Sequence, residues 1–246
     1  MDDPLADVAA LNGVGAAAAY ARDSIDALLR QPAMRTAAAS IAAESAVRGA
    51  RASATMAGGD ADDVNDPSVQ GALRAVAEVP ELARLWERSP RQVLARLHVL
   101  AARDLVDDAE ALGRPRAGAD SSRLDQILRV ATAPTGAPGV VVAAVVHAEL
   151  LSIRPFGTGD GLVARAAERI VLVARGVDTK AVSIPEAGHL ALVRAYEPLL
   201  NAYADGGPEG VGAWVRHCAE AYAHGAAEAM SERSGLVRDE RGPRSE

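Results

Sequence analysis

The sequence is poor in residues that mark several familiar protein classes. Its 246 residues include a single cysteine, Cys218, and a single phenylalanine, and aromatic residues make up only 3% of the chain. One cysteine excludes an intrachain disulfide and is typical of a reducing compartment. No run of about 18 uncharged apolar residues occurs, which predicts that no helix spans a membrane. The acidic start, MDDPLADVAA, lacks the basic segment of a secretory signal, so we expect a cytoplasmic protein.

Positive charge is also scarce. The formal net charge is −7, and Lys180 is the only lysine, so arginine supplies nearly all of the cations. The electrostatic field of such a chain does not favour binding to nucleic acid or to an anionic membrane. We therefore expect neither as a partner.

Apolar residues make up 49% of the chain, and alanine supplies many of them. Alanine is the best helix former, and no window shows the alternation of β-branched residues that is typical of a strand. The pattern predicts an all-α protein. We divide it into an N-terminal helical extension over 1–30, a main domain over 31–232, and a disordered tail over 233–246.

Several local patterns predict where helices begin. Asp66 precedes a proline and is typical of an N-cap, and Pro80 interrupts the helix that follows. Ser122 with Asp125 predicts the start of a short helix near residue 122. Ser183 with Glu186 fits a capping box for a helix that reaches about Ala204.

The most unusual stretch is RPFGTGDGLVAR, from Arg154 to Arg165, between an apolar helix over about 138–152 and a helix over about 161–175. Three glycines and a helix N-terminus could bring amide groups close to a phosphate, and Arg165 could reach the same point. A tight connection between two helices, with Asp160 as an ordinary N-cap, explains the glycines equally well. Spacing alone leaves both interpretations open.

This stretch resembles the signature of the Fic (Fido) family, H-P-F-x-[D/E]-G-N-G-R-x-x-R. Similar order and spacing extend over about residues 40–230, and LGRPR (Leu112–Arg116) stands where the family has a G-x-[FY]-R turn. The resemblance implies a Fic-like helical bundle. It also implies an activity, because family members typically transfer a nucleotide monophosphate, usually AMP from ATP, to a protein hydroxyl.

The departures from the signature concern its chemistry. Arg154 replaces the histidine that serves as general base, and an arginine stays protonated at any relevant pH. Thr158 replaces the acidic Mg²⁺ ligand, Asp160 replaces the asparagine of the anion hole, and Leu162 replaces the first arginine. Only the second motif arginine, Arg165, is retained. We therefore predict no catalytic residue at the general-base position.

Two further family elements are altered. Ser53–Gly58 (SATMAG) resembles the inhibitory [S/T]-x-x-x-E-[G/N] pattern, with Ala57 in the place of the glutamate. Four residues between Arg116 and Ser121 leave no room for the β-hairpin flap that holds the target segment. We expect the flap to be reduced or absent.

These departures favour a pseudoenzyme of the Fic adenylyltransferase family, which binds a protein partner or an anionic ligand at the old cleft. The ligand would be a nucleotide such as ATP, bound without a well-formed Mg²⁺ site. The candidate binding residues are Arg154, Gly157, Thr158, Gly159, Asp160, Gly161 and Arg165. One alternative is an active nucleotidyl- or phosphotransferase with non-standard catalytic residues. Another is a purely structural helical interaction protein, for instance a homo-oligomer.

Individual side chains also have simpler interpretations. We expect Arg154 to form an ion pair with Asp160 or another nearby carboxylate. His147 lies on the same helix face as Arg154, and a satisfied buried histidine is the expectation there. No metal site is predicted, because His189, His217 and His224 lack the i, i+4 spacing with a carboxylate that is typical of one.

Overall fold

The computed structural model of the chain describes residues 3–239, with side chains as far as residue 231. As the sequence predicts, all regular elements among these residues are helical and none is a β-strand. The α-helices of the described part are, in order, α1 (Pro4–Ala9), α2 (Val14–Leu29), α3 (Ala38–Met56), α4 (Pro67–Ala77), α5 (Val79–Leu85), α6 (Pro90–Ala102), α7 (Ser121–Thr132), α8 (Gly139–Ile153), α9 (Asp160–Ala174), α10 (Pro185–Ala191), α11 (Val193–Ala204) and α12 (Pro208–Asp239).

Helix α8 lies at the centre of the bundle. Its residues from Val140 to Ala148 are all buried, so the helix has no polar face. An apolar helix of this kind must be covered on all sides, and α7, α9, α11 and α12 pack around it. The glycine-rich stretch therefore begins where the best-buried helix of the fold ends.

Small residues let the helices approach closely. Gly71 of α4 faces the backbone of Ala101 in α6, and Gly188 of α10 faces the backbone of Ala221 in α12. A methyl group at either glycine would lie within about 2 Å of a carbonyl oxygen, which is far inside van der Waals contact. The low aromatic content of the chain agrees with this packing, since close helix axes leave little space for rings.

Two of the predicted helix starts are confirmed. The Asp66 carboxylate accepts hydrogen bonds from the amides of Ser68 and Val69, as an N-cap should. Pro80 lies in the first turn of α5, which separates that helix from α4. A proline is tolerated there because the amide of a first-turn residue has no helical partner to lose.

Helix α7 begins at Ser121, within one residue of the predicted start. Its cap, however, is Asp120, whose carboxylate accepts from the Arg123 amide, and not Ser122. The predicted capping box at Ser183 and Glu186 is wrong. The Ser183 hydroxyl donates to the buried Asp178, while Glu186 accepts from Arg169. A capping box fails there because both of its side chains bind tertiary partners, and the segment forms two helices, α10 and α11.

The first long helix and the last helix of the described chain pack against each other. Helix α2 packs against α12, and its buried residues belong to the same core as α8 and α9. Helix α12 continues to Asp239, beyond the end near Glu232 that the sequence predicts; residues 240–246 of the expected tail lie outside the described part. No helix within residues 3–239 is long and apolar enough to cross a bilayer.

The contact of α10 with α12 yields a direct test of this packing. In Gly188→Ala, the new Cβ would lie 1.9 Å from the Ala221 carbonyl oxygen, so the two helices must move apart. We expect a loss of about 1–3 kcal/mol in the free energy of unfolding, measured by urea denaturation. Gly207 has open space around it, and Gly207→Ala should change stability by less than about 0.5 kcal/mol. Equal effects of the two variants would contradict the close approach of α10 and α12.

Candidate functional site

The glycine-rich loop starts with an abrupt end of α8 at Arg154. This residue adopts a left-handed conformation with φ 47°, and its amide donates to the Leu150 carbonyl oxygen. Pro155 follows at once, and the residue before a proline avoids the right-handed helical region. The chain therefore leaves the helix axis at Arg154, whose side chain is exposed at the mouth of a cleft.

The Asp160 carboxylate turns back into the loop. Its Oδ1 accepts from the Phe156 amide at 2.9 Å, and its Oδ2 accepts from the Gly157 amide at 2.7 Å. The N-cap of α9 is Gly159, in a left-handed conformation with φ 72°, and Asp160 is the first helical residue. The prediction of Asp160 as an N-cap is therefore wrong, because its oxygens bind amides before the helix and not amides within it.

Burial changes the acidity of this carboxylate. Asp160 is only 6% exposed, and burial raises the pKa of its carboxyl group, although the amides of Phe156 and Gly157 act in the opposite direction. Both oxygens are already hydrogen-bonded. Asp160 thus closes the loop with its own charge, in the place where a glycine loop would otherwise offer those two amides to a ligand.

His98 of α6 supports the loop from below. Its Nε2 donates to the Thr158 carbonyl oxygen at 3.1 Å, its Nδ1 accepts from the Gly113 amide at 2.9 Å, and its ring stacks on Phe156 at 4.1 Å. These two hydrogen bonds require the neutral ring, and burial lowers the pKa of His98. Sequence reasoning did not single out this residue. Its place on the buried face of α6 was the available signal.

The LGRPR turn lies against the loop, as the resemblance implies. The Arg116 amide donates to the Pro155 carbonyl oxygen at 2.8 Å, and the Arg116 Nε donates to the Arg154 carbonyl oxygen at 3.0 Å. The segment from Arg116 to Ser121 contains turns and no strand, which confirms that no β-hairpin flap forms there. The loop is thus held on one side by this turn and on another by α6.

Arg165 is the buried cation of the site. It is 3% exposed; its Nε donates to the Ser53 hydroxyl and its NH2 group to the Ser53 carbonyl oxygen, both at 2.8 Å. No carboxylate of the described residues lies within ion-pair distance of its guanidinium group. Gly161 leaves room for that group, since a Cβ there would lie 3.3 Å from it. The segment that resembles the inhibitory pattern therefore does contact Arg165, through Ser53.

These elements enclose a cleft of about 880 Å³ between the loop, the end of α3 and α11. All seven candidate binding residues line it: Arg154, Gly157, Thr158, Gly159, Asp160, Gly161 and Arg165. Helix α11 adds Arg194, Tyr196 and Glu197, which sequence reasoning did not identify as site residues. They lie about 30 residues beyond the end of the motif at Arg165, and no local pattern connects them to it.

The expected ion pair of Arg154 is not formed. No carboxylate of the described residues lies within ion-pair distance of its guanidinium group, and Asp160 faces inward to the loop amides. The left-handed backbone at Arg154 directs the side chain toward solvent instead. Arg154 and Arg165 therefore both bring positive charge to the cleft without a carboxylate partner.

His147 is a satisfied buried histidine, as predicted. It is fully buried beneath the cleft; its Nδ1 donates to Glu168 at 2.7 Å, and its Nε2 accepts from the Tyr196 hydroxyl at 2.7 Å. Although it shares a helix face with Arg154, it does not open into the cleft. It therefore offers no proton acceptor to the cleft.

The neutral ring of His98 predicts a pH-dependent contribution to stability. Because its pKa is lowered from 6.5 in the folded chain, the unfolded chain binds the proton first as the pH falls. The contribution is complete above pH 6.5 and decreases below it. We expect wild type to lose more unfolding free energy between pH 7.5 and 5.5 than His98→Gln. His224 is exposed, and His224→Gln should behave as wild type; a His98→Gln slope equal to that of wild type would refute the assignment.

One comparison with known proteins supports the fold. No model of a protein family matches the sequence, and no curated protein is significantly similar to it. A solved structure is similar: the crystal structure of a Fic family protein from Desulfovibrio desulfuricans G20, with a TM-score of 0.72 and 18% sequence identity. The match covers 94% of this chain and 76% of that one. The chain therefore has a Fic-like, all-helical fold.

Proposed function

We propose that this chain is a Fic-fold protein that binds a phosphate-bearing ligand in the cleft and does not transfer AMP. The buried guanidinium group of Arg165 carries the proposal. A buried cation without a carboxylate partner is costly to a folded protein. A bound anion would offset that cost by neutralising the charge, and Arg165 lies on the wall of the cleft that contains most of the motif.

The cleft has the size and charge for a nucleotide. Its volume of about 880 Å³ falls in the range of about 300–1,000 Å³ that is typical of small-molecule sites. Arg154 and Arg194 stand at its walls with Arg165, against the carboxylates of Asp160 and Glu197. The two loop amides only partly offset the charge of Asp160, so the field is most favourable to a bound anion near the three guanidinium groups.

The same residues argue against transfer chemistry. A general base must accept a proton from the target hydroxyl, and Arg154 in the motif position cannot. Asp160 is the carboxylate of the loop, but both of its oxygens accept backbone hydrogen bonds. Using it as a base would release the loop that it closes. Binding without turnover therefore suits this set of side chains better than catalysis does.

The loop also does not fit the Mg²⁺ ion that the family uses. Mg²⁺ prefers carboxylate oxygens and an octahedral arrangement of ligands. Thr158 offers a neutral hydroxyl, its carbonyl oxygen accepts from His98, and the Asp160 oxygens are engaged. No carboxylate oxygen of the loop is free to bind the ion, so nucleotide binding should not depend on Mg²⁺.

Binding can be tested with ATP and isothermal titration calorimetry. Arg165→Met should weaken ATP binding by about 10- to 100-fold, because charged hydrogen bonds to phosphate are lost. Because the variant also loses the two buried hydrogen bonds to Ser53, the free energy of unfolding should fall by about 1–3 kcal/mol, and binding is compared at a temperature where the variant is folded. The exposed Arg84→Met is the matched control. Wild-type protein that binds neither ATP nor pyrophosphate would favour a protein partner for the cleft instead.

A second variant tests the charge that closes the loop. In Asp160→Asn one amide oxygen can still accept from Phe156, while the charge that repels phosphate is removed. We expect ATP to bind about tenfold more tightly, or better, at low ionic strength. Unchanged or weaker binding, in a variant with the wild-type circular dichroism spectrum, would contradict the placement of the phosphate near Asp160.

Transfer can be tested directly with labelled ATP or GTP and Mg²⁺. We expect no label on the protein or on lysate proteins, and Arg154→His alone should not restore transfer. The histidine would restore only the base. Thr158 would still stand in place of the acidic Mg²⁺ ligand, Asp160 would still bind the loop amides, and the flap would still be absent. Label in wild type that is abolished by Arg165→Met would support an active transferase. Label that appears only in Arg154→His would show that the base alone was limiting.

A further inference from the structure

A buried carboxylate lies below the cleft without a conventional cation. Glu168 is completely buried; it accepts from His147 Nδ1 at 2.7 Å, His189 Nε2 at 3.0 Å and the Tyr222 hydroxyl at 2.6 Å. No arginine or lysine of the described residues lies within ion-pair distance of it. A buried negative charge of this kind is costly unless a cation offsets it. Neither the cleft nor the proposed ligand explains why the core keeps this charge.

The surrounding side chains are those that bind transition metals. Four side chains each place one ligand atom within 4.8 Å of all the others, and all four are buried: His147, Glu168, His189 and Cys218. They come from α8, α9, α10 and α12. We propose that this cluster is a structural site for a borderline-soft divalent cation of the Zn²⁺ type, which joins these four helices.

The distances fit such an ion after small movements. Zinc lies about 2.0–2.3 Å from nitrogen, oxygen and sulfur ligands, so the ligand atoms of a tetrahedral site are separated by about 3.3–3.8 Å. The hydrogen-bonded pairs, at 2.7 and 3.0 Å, would move apart by less than about 1 Å. The farthest pair, within 4.8 Å, would close by about 1 Å, which side-chain rotation can supply.

The charges also balance. A divalent cation with two neutral histidines, one carboxylate and one thiolate forms a site with no net charge, which suits a fully buried position. Cys218 would bind the ion as a thiolate, so its thiol must lose a proton and metal binding releases protons.

Outer hydrogen bonds are in place to orient the ligands. The Tyr196 hydroxyl lies 2.7 Å from Nε2 of His147, on the ring side that faces away from Glu168. The Tyr222 hydroxyl holds the Glu168 carboxylate. Partners of this kind fix ring orientation and carboxylate position in metal sites. On His189, Nε2 faces Glu168, and Nδ1 on the other side of the ring is buried without a hydrogen-bond partner.

The site differs from the nucleotide cleft. Its four ligands do not line the cleft, and only Tyr196 touches both. The inference goes beyond the proposed function and does not depend on it: ATP binding and metal content are separate measurements. Because the cluster is closed to solvent, we expect the ion to load while the chain folds.

Metal content is measured on the full chain after refolding with Zn²⁺, followed by gel filtration and mass spectrometry of the metal. We expect about one zinc per chain. Refolding with a chelator should lower Tm by about 5–10 °C, the shift produced by a ligand at roughly 100 times its Kd in a chain of this size. His224→Ala is the matched control, because His224 is an exposed histidine of α12, the helix that also carries Cys218. The His224→Ala variant should keep the zinc. Less than about one zinc per ten chains would overturn the proposal.

Cobalt shows whether the Cys218 thiolate binds the metal. Protein refolded with Co²⁺ should show a near-ultraviolet thiolate-to-cobalt absorption band, and Cys218 is the only cysteine that can produce it. Cys218→Ser should lose the band and most of the affinity for zinc while keeping a helical circular dichroism spectrum. If that variant fails to fold, the spectrum of the wild-type protein still tests the proposal. Wild-type protein that binds cobalt without showing the band would bind the metal elsewhere, and the proposal would fail. Zinc retained at wild-type affinity in a folded Cys218→Ser variant would also overturn it.

Discussion

The site depends on the hydrogen bonds between the Asp160 carboxylate and the amides of Phe156 and Gly157. They hold the glycine loop in a closed turn between α8 and α9, and they use two amides that such a loop could present to an anion. His98 supports the other side of the turn through the Thr158 carbonyl oxygen. The loop is thus shaped by interactions within the protein, and the positive charge of the cleft comes from arginine side chains around it.

Arg154 and Arg165 are two cations of the cleft that differ in burial. Arg154 occupies the general-base position of the motif and is exposed, so its charge costs little and its chemistry is limited to binding. Arg165 is buried and is held by Ser53, at the end of a helix that resembles an inhibitory element. With Ala57 where that element would carry a glutamate, the guanidinium group keeps its charge uncompensated. An arginine in place of a proton acceptor and a buried cation beside the cleft are the two observations behind the proposal of binding without catalysis.

Below the cleft, the largely apolar core contains a cluster of buried polar side chains. Four helices each contribute one ligand-type side chain around Glu168, and two tyrosines bind the outer atoms of that cluster. Local spacing in the sequence argued against a metal site, because no two of the histidines stand one turn apart beside a carboxylate. That rule applies to ligands on one helix, and it does not apply to ligands that come from α8, α9, α10 and α12.

The sequence by itself determined the helical class, the cap at Asp66, the loop between α8 and α9, the missing flap and the membership of Arg165 in the site. Each of these follows from local spacing, from helix propensity or from a motif contained in about a dozen residues. Only the tertiary structure decided the orientation of Asp160, the partners of Ser183 and Glu186, the role of His98, and the arrival of Arg194 and Tyr196 at the cleft. Their hydrogen bonds and contacts join residues that are distant in the chain, or compete with equally good local ones, and packing of the helices selects among them.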